Sequence, residues 1–364
     1  MVSIKPEQNN LIAIDFFCGA GGVTYGFNRA GIKVLAGVDV DESVGKTYSE
    51  NNGTDFINAD ITNLPFEYFT EKYGIGKKSD NLIFAGCSPC QYFSKVNTDK
   101  AKSIATKYLL DDFLEFIIHY EPRFVFMENV PGFDTNNDSP INRFRNALGQ
   151  HSYVFSEGNI NASRYGVAQN RLRYVLIADR LGDNIHLPRP TVGKPKTVGE
   201  EIGDRSKYPS IQAGTRDSSY RMHTASSLSN LNLQRICATP KNGGNRRAWE
   251  HDPDLQLNCY KSHEGHYDVY GRMSWDKPAP TITTRFNSYS NGRYGHPEDN
   301  RAISLREGAS LQSFPVEYKF FVNSVAEATR MIGNAVPPLV SYAIGKSFIA
   351  SHLGSTATGK NYFW

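Results

Sequence analysis

Leu11-Ile-Ala-Ile-Asp-Phe-Phe-Cys-Gly-Ala-Gly-Gly22, continued by Val-Thr-Tyr-Gly-Phe-Asn-Arg-Ala-Gly31, decides the fold class. Residues 11–17 are a short apolar run bounded by polar residues, the pattern of a strand buried on both faces. A glycine-rich turn follows, and then a stretch with helical spacing that stops at Gly31. Strand, glycine-rich turn and helix make the opening βα unit of a doubly wound sheet. Gly19, Gly21 and Gly22 allow the backbone to approach a ligand closely at the helix start, although a tight turn alone explains them about as well. The turn is not G-x-G-x-x-G, and no lysine of the phosphate-loop type follows, which argues against a triphosphate ligand.

The pattern repeats downstream. KVLAGVD (33–39) reads as a second strand ending in Asp39, DFINADI (55–61) as a third carrying Asp60 at its exit, and NLIFAG (81–86) as a fourth. After a helix over 105–120 comes FVFMENV (124–130), and then HSYVFSEGNINA and RYVLIAD (173–179) as two more strands. Strands alternating with helical segments over about 180 residues predict a mostly parallel α/β sheet. Beyond Asp179 the texture changes. From Leu187-Pro-Arg-Pro190 to about residue 300 the chain is rich in Gly, Pro, Ser, Asn and Tyr, which predicts a second, irregular domain or a long insertion. Helical patterning returns in SLREGASLQSF (304–314) and continues from Val325, with Pro337-Pro338 at the start of the last helix.

At 364 residues, 39% hydrophobic and 21% charged, the chain has the makings of a soluble globular protein with a large core. Five scattered cysteines (Cys18, Cys87, Cys90, Cys237 and Cys259) suit reduced thiols in a cytosolic setting better than a disulfide framework. MVSIKPEQNN has no apolar segment of the secretory kind, and no run of about 18 apolar residues predicts a membrane span. Net charge is +3, yet residues 187–300 hold 16 Lys/Arg against 12 Asp/Glu, so the basic excess sits in the irregular segment. There Arg246, Arg247, Arg272, Arg285 and Arg293 are interleaved with Trp249, Tyr260, Tyr270, Tyr289 and Tyr294, a mixture suited to phosphate and base contacts.

Three features carry chemistry. Gly86-Cys-Ser-Pro-Cys-Gln-Tyr-Phe-Ser94 leaves the fourth strand and presents Cys90 on a loop after Pro89, where a thiolate nucleophile, a buried structural thiol and a Cys87-x-x-Cys90 redox pair are all open readings. Asp39 and Asp60, each at a strand exit, are placed to hold the ribose hydroxyls and the adenine amine of an adenosyl cofactor. Glu128 ends the fifth strand on the same rim as Cys90, and Gln169-Asn-Arg171-Leu-Arg173 opens a later strand with two arginines at period two. A Cys, a Glu and an Arg pair converging on one rim suit a polar, planar substrate.

Along nearly its whole length the chain resembles a DNA cytosine-5 methyltransferase, with DFFCGAGG, VDVD, NADI, GCSPCQYFS, MENV, QNRLR, RMSWDKPAPTIT and GNAVPP in family order. The resemblance implies a Rossmann-like S-adenosylmethionine-dependent methyltransferase domain with an inserted small target-recognition domain. It divides the chain into a first catalytic part (1–186), the target-recognition domain (187–300), a hinge (301–324) and C-terminal helices completing the catalytic domain (325–364). It implies Cys90 as the nucleophile on C6 of a flipped-out cytosine, Glu128 on N3 and the exocyclic amine, and Arg173 with Arg171 on the O2 edge or a flanking phosphate. S-Adenosyl-L-methionine contacts carry over to Phe17, Ala20, Gly21, Gly22, Asp39, Val40, Asp60, Ile61, Pro89, Asn334 and Ala335. Substrate contacts carry over to Gln91, Ser94, Asn129, Gln169 and Thr281, with no metal. The loop has Ser88 where the family more often has a second proline, and the ribose acid is Asp39 rather than the commoner glutamate.

The function so implied is methylation of a specific sequence in double-stranded DNA by a monomeric, cytoplasmic prokaryotic enzyme at the nucleoid. It would be the modification half of a restriction–modification system, beside a cognate endonuclease that need not bind it stably. A tRNA cytosine methylase shares the chemistry, but the roughly 110-residue basic, aromatic insertion suits the reading of a duplex groove. A silent DNA-binding module would not need Cys90, Glu128 and Arg173, and a dithiol oxidoreductase would need neither the Glu-Asn-Val nor Asp39.

Overall fold

The computed structural model describes residues 9–88, 108–135, 139–257 and 269–354. Within them the chain forms two compact units: residues 1–161, 172–191 and 336–364 belong to the first, residues 162–171 and 192–335 to the second. The second unit thus takes in 301–335 along with the irregular segment, and it also claims the ten residues that precede Leu172.

The first unit is built on seven strands: β1 (Ile12–Phe16), β2 (Lys33–Asp39), β3 (Asp55–Asn58), β4 (Leu82–Gly86), β5 (Phe124–Asn129), β6 (Val154–Asn161) and β7 (Leu172–Asp179), in sheet order β3-β2-β1-β4-β5-β7-β6. The first five are parallel, while β7 runs antiparallel to both β5 and β6. The apolar runs are explained by this arrangement, because helices cover both faces and β4 is buried at every position. Helices α1 (Gly22–Ala30), α2 (Gly45–Asn52), α3 (Tyr68–Tyr73), α4 (Leu109–Tyr120) and α5 (Ile141–Gln150) connect the strands, and the last helix, α10 (Pro338–His352), returns to this unit. An aromatic cluster of Phe16, Phe69, Phe84, Phe113 and Phe116 fills one face, with neighbouring rings 5.2–6.2 Å apart in edge-to-face or tilted arrangements.

The third strand is shorter than DFINADI suggests. It ends at Asn58, because the Asp60 carboxylate accepts from the Thr62 amide (3.0 Å) and hydroxyl (2.9 Å) and opens a 3₁₀ turn over Ile61–Asn63. The expected helix over 105–120 is seen as α4 from Leu109, and residues 105–107 lie outside the described ones.

Among its described residues the second unit has no strand ladder, only isolated bridges such as Gln169↔Ala279, together with helices α6 (Val198–Ile202), α7 (Asn230–Ala238), α8 (Leu305–Leu311) and α9 (Val325–Asn334). Buried arginines take over the work of a ladder. The Arg272 guanidinium donates to the carbonyls of Ile236 (2.7 Å), Thr239 (3.1 Å), His296 (3.0 Å) and Asp299 (2.7 Å). Arg306 reaches the carbonyls of Tyr220, Arg221, Pro315 and Tyr318. Arg301 forks onto Glu307 (2.7 and 2.8 Å), whose carboxyl this pairing holds down near pKa 2 despite the cost of burial.

This corrects the reading of the arginine–aromatic mixture as a contact surface. Arg246, Trp249, Arg272, Tyr289 and Tyr294 are buried, Tyr270 and Arg293 are half-buried, only Arg247 and Arg285 are exposed, and Tyr260 lies outside the described residues. The physical reason is that a loop-rich core leaves carbonyls without partners, and guanidinium groups backed by aromatic rings supply the donors.

Helix α1 meets α10 at Gly26 with no room to spare: a Cβ there would lie 2.4 Å from the Pro338 carbonyl oxygen and 2.6 Å from Ser341 Cβ. Gly26→Ala should therefore destabilise the first unit by about 1–3 kcal/mol, despite alanine's better helix propensity. Urea denaturation of the variant checks this, and an unchanged midpoint would contradict the close packing.

Candidate active site

The parallel strands deliver their carboxyl ends to one edge, and the order changes direction between β1 and β4, the switch point at which α/β sheets bind ligands. At the end of β1 the backbone enters the left-handed region three times in five residues, at Phe17 (φ 57°), Gly19 (φ 49°) and Gly21 (φ 84°). Glycine tolerates this conformation, whereas Phe17 is held there against its preference, as happens where a site imposes its geometry. The Gly21 amide donates to the Cys18 carbonyl (2.9 Å), and the Cys18 amide ties the turn to β2 through the Val38 carbonyl (3.1 Å). Ala20, Gly21 and Gly22 are buried at the start of α1.

Asp39 closes β2 with its carboxylate turned to this loop. Oδ2 accepts from the Gly19 amide (2.8 Å) and Oδ1 from the Asp41 amide (2.9 Å), so each oxygen still has lone-pair capacity for a hydroxyl donor. Burial raises its pKa above the usual carboxylate value, although the backbone donors pull the other way. Next to it Val40 is 68% exposed, an apolar side chain with little of the protein packed against it. Asp60 is exposed at its 3₁₀ turn, while Ile61 is packed into the core cluster. A two-oxygen acceptor at the end of β2, an uncovered apolar side chain beside it and a glycine-rich turn at a helix start are a donor and acceptor set that fits an adenosyl group.

Beneath the loop lies a network that the sequence reading missed. Asp15 is 1% exposed. Its Oδ2 accepts from the Thr24 hydroxyl (2.7 Å), and Thr24 in turn lies 2.7 Å from the Tyr48 hydroxyl, so β1, α1 and α2 are linked. Burial, opposed by the Thr24 bonds, pushes the Asp15 pKa up to about 7. The signal was present: an aspartate in the middle of an apolar strand run has to find a buried partner. Cys18, also buried, has its thiol pushed far up by burial and then by Asp15 and Asp39, so it is not a reactive thiolate.

On the other side of the switch point, β4 ends at Gly86 and the chain passes through half-buried Cys87 and buried Ser88. Pro89, Cys90, Gln91 and Ser94 lie outside the described residues. Gly86 pairs with Met127 on β5, and Glu128 pairs with Val175 on β7. Because β7 runs antiparallel, its first residues reach the edge where β5 ends. Arg173 Nε accordingly meets Glu128 Oε1 at 2.9 Å, with side-chain exposures of 18% and 12%. Asn129 is buried, and its side chain accepts from the Val130 amide (2.8 Å), which fixes the turn after β5.

Gln169, Arg171, Thr281, Asn334 and Ala335 belong to the second unit. Arg171 is 3% exposed, and its guanidinium donates to the carbonyls of Ile282 (3.0 Å), Gly333 (3.3 Å) and Ala335 (3.1 Å). It caps the C-terminal end of α9, where carbonyls lack partners and a cation is favoured. Since β7 begins at Leu172, Arg171 precedes the strand, and the period-two argument that paired it with Arg173 does not apply. Gln169 is fully buried: its side chain accepts from the Ile282 amide (2.8 Å) and donates to the Leu311 carbonyl (3.1 Å). The Thr281 hydroxyl donates to the Asn170 carbonyl (2.8 Å), so the QNRLR and PAPTIT segments are strapped together. Asn334 is exposed at the end of α9.

The sheet order, the antiparallel β7, the glycine-rich turn after β1 and the acid after β2 define a Rossmann-like methyltransferase fold. Residues 11–350 match the family of C-5 cytosine-specific DNA methylases. The type II methylase M.HgiDII of Herpetosiphon aurantiacus is 40% identical over 339 residues, covering 92% of this chain and 94% of that protein. The type II methyltransferase M1.HphI of Haemophilus parahaemolyticus is 30% identical, covering 93% and 87% respectively. Among solved structures, a prophage-encoded E. coli protein assigned as a DNA modification methyltransferase superposes with a TM-score of 0.72 at 22% identity, covering 94% of this chain and 99% of that one. A mutant of Spodoptera frugiperda DNMT2 gives 0.62 at 18% identity, covering 93% and 100%. The chain belongs to the C-5 cytosine-specific DNA methylases and is a DNA cytosine-5 methyltransferase.

Asp15 provides a test of the buried network. Its pKa of about 7 in the fold lies above the ordinary value of 3.8, so between these values the folded state binds a proton that the unfolded chain has lost. That contribution is full below pH 4 and is lost as pH rises through 7. Asp15→Asn cannot titrate, so the stability margin of the native chain over this variant should shrink from pH 5 to pH 8 in urea unfolding. A margin independent of pH would mean that Asp15 carries no such proton.

Proposed function

We propose that this enzyme methylates C5 of one cytosine within a specific duplex DNA sequence, with S-adenosyl-L-methionine as the methyl donor. We propose further that it is the modification enzyme of a restriction–modification system, a reading supported by its likeness to proteins named type II methylase and type II methyltransferase. The observation that carries the reading is the Glu128–Arg173 pair, held by the β5–β7 register on the edge where β4 releases the segment leading to Cys90.

Cytosine C5 is a poor nucleophile, and the chain's part is to make it a good one. The Cys90 thiolate adds to C6; the Cys90 sulfur–C6 bond forms as the C5–C6 π electrons move into the ring. Glu128 holds N3 and the exocyclic amine, and Arg173, which holds Glu128, faces the O2 edge, so the charge that accumulates along N3 and O2 is met by fixed groups. The cofactor, when bound, supplies an electrophilic methyl group on a sulfonium centre. Once C5 is methylated, its proton leaves to a base, the electron pair restores the C5–C6 bond, and the Cys90 thiolate departs. A stacked base cannot reach these groups, so the cytosine must leave the helix.

The cofactor reading is supported by the left-handed turn at Phe17–Gly21, the remaining lone pairs of Asp39 and the uncovered Val40. Phe17, Ala20, Gly21, Gly22, Asp39, Val40, Asp60 and Ile61 are proposed to hold it from the first unit, with Pro89 and the Asn334–Ala335 turn as further contacts. Buried Arg171 and Gln169 are proposed to act through the backbone they tie down rather than by touching the base. The irregular segment, residues 187–300, is proposed as the part that selects the DNA sequence.

Cys90→Ser should abolish methyl transfer to duplex DNA while leaving DNA binding intact in a gel-shift assay. Duplex DNA containing 5-fluorocytosine should trap the native enzyme as a covalent adduct that requires S-adenosylmethionine, because fluorine replaces the proton whose loss frees the cysteine. Persistent transfer by the serine variant would sink the nucleophile assignment, and trapping on RNA alone would move the substrate from DNA to RNA. Arg171 and Arg173 should separate kinetically. Arg173→Lys should lower kcat by roughly 10²–10³-fold, the scale of removing one fixed charge-stabilising donor, whereas Arg171→Lys should lower thermal stability and raise the cofactor KM with a smaller change in kcat.

A further inference from the structure

Asp15 is 1% exposed, Thr24 and Tyr48 not at all, so the three lie out of reach of a ligand and take no part in the chemistry of the site. They nevertheless frame the base of the glycine-rich turn. The Asp15–Thr24 bond (2.7 Å) joins the residue two before Phe17 to the first turn of α1, and so spans the turn from end to end. Helix α1 starts behind Gly21, which has no side chain to cap it, and its first turn is secured from β1 instead. Thr24 has one hydroxyl proton and donates it to Asp15, so in the second bond (2.7 Å) the Tyr48 hydroxyl is the donor.

The chain of bonds ends against β2. Gly37 lies opposite Asp15 in the β1–β2 register, and a Cβ at Gly37 would run into the Tyr48 ring, so the missing side chain is what lets Tyr48 reach across. Two residues on, Asp39 accepts from the Gly19 amide (2.8 Å), and Val38 accepts from the Cys18 amide (3.1 Å). The turn is therefore held on two sides, by β2 along its length and by Asp15, Thr24 and Tyr48 at its base. Against them stands the left-handed backbone of Phe17 (φ 57°), a strain comparable in size to one buried hydrogen bond. Where opposing contributions are that close, one bond decides what fraction of molecules has the turn ready for a ligand. Apparent affinity scales with that fraction.

We infer that the Asp15–Thr24–Tyr48 chain is a positioning device for the adenosyl cofactor. It holds the Phe17–Gly21 turn in its binding shape before the cofactor arrives, and so sets affinity rather than turnover. The inference rests on the S-adenosylmethionine reading above.

The test is calorimetric binding of S-adenosylhomocysteine to the full chain, which needs no turnover. Thr24→Val keeps the shape of the side chain and removes its hydroxyl; the dissociation constant should rise about 10-fold, the factor that one buried hydrogen bond puts on an equilibrium. Its kcat on DNA at saturating S-adenosylmethionine should be unchanged, because bound cofactor restores the turn. Thr24→Ser, which keeps the hydroxyl, should bind as the native chain does. Gly26→Ala is the control: it strains the same helix at its contact with α10 and should lower the urea midpoint without changing the dissociation constant. Native affinity in Thr24→Val overturns the inference. So does a loss of kcat at saturation, or an equal weakening in Gly26→Ala, which would make the effect one of general stability. Should Thr24→Val fail to fold, Tyr48→Phe takes its place, with an expected rise of about threefold, and native affinity in that variant is equally fatal. If the native enzyme binds no S-adenosylhomocysteine, the cofactor reading itself fails, whereas tight native binding with an unaltered Thr24→Val condemns the positioning chain alone.

Discussion

Every buried carbonyl needs a donor, and the two units meet this demand in different ways. In the first, the ladder of a seven-stranded sheet pairs the backbone, so side chains are free to be apolar and strands read as Val-, Ile-, Leu- and Phe-rich runs. In the second, no ladder exists among the described residues, and guanidinium groups take its place. One arginine reaches three or four carbonyls because its nitrogens point outward in a rigid planar fork. The desolvation cost is visible: burial pulls the Arg306 pKa down to about 10. Spread over several carbonyl dipoles and an aromatic ring 5.7 Å away, the charge is still accommodated.

The same constraint explains how the rim of the sheet is assembled. Arg173 reaches Glu128 because β7 enters the sheet antiparallel, which brings a strand start to the edge where parallel strands stop. Two residues earlier the chain is no longer in the sheet, and Arg171 obeys the rule of the second unit, closing the carbonyl end of α9. A single short motif, Gln169 to Arg173, therefore spans two kinds of backbone, and its two arginines do different work.

Much of the first unit was legible because its physics is local. A strand buried on both faces must be apolar along its length, and a turn that goes left-handed three times needs glycine, so LIAIDFFCGAGG could be read directly. Asp39 and Asp60 were legible as carboxylates at strand exits. Asp15 was not picked out, because its partners Thr24 and Tyr48 are ordinary helix residues whose meeting depends on tertiary packing. The second unit was least legible. Its short helix α7 has little amphipathic patterning, and its basic, aromatic composition suggested a contact surface when half of the named residues form the interior. Composition records which groups are present, not which of them the fold has already engaged.

Glu128 shows how engagement and chemistry coexist. The Glu128 carboxylate is engaged by the Arg173 guanidinium at 2.9 Å. In the proposed mechanism Glu128 faces the cytosine exocyclic amine and N3, the atom whose basicity rises as a thiolate adds at C6. In the same proposal Arg173, fixed by that pair, has its remaining donors for the O2 side, where the rest of that charge would collect. On that proposal the ion pair is a built-in asymmetry, acceptor towards one edge of the base and donor towards the next. A lone buried glutamate could not supply it, since desolvation would push it towards the neutral form and remove the acceptor where the adduct needs it.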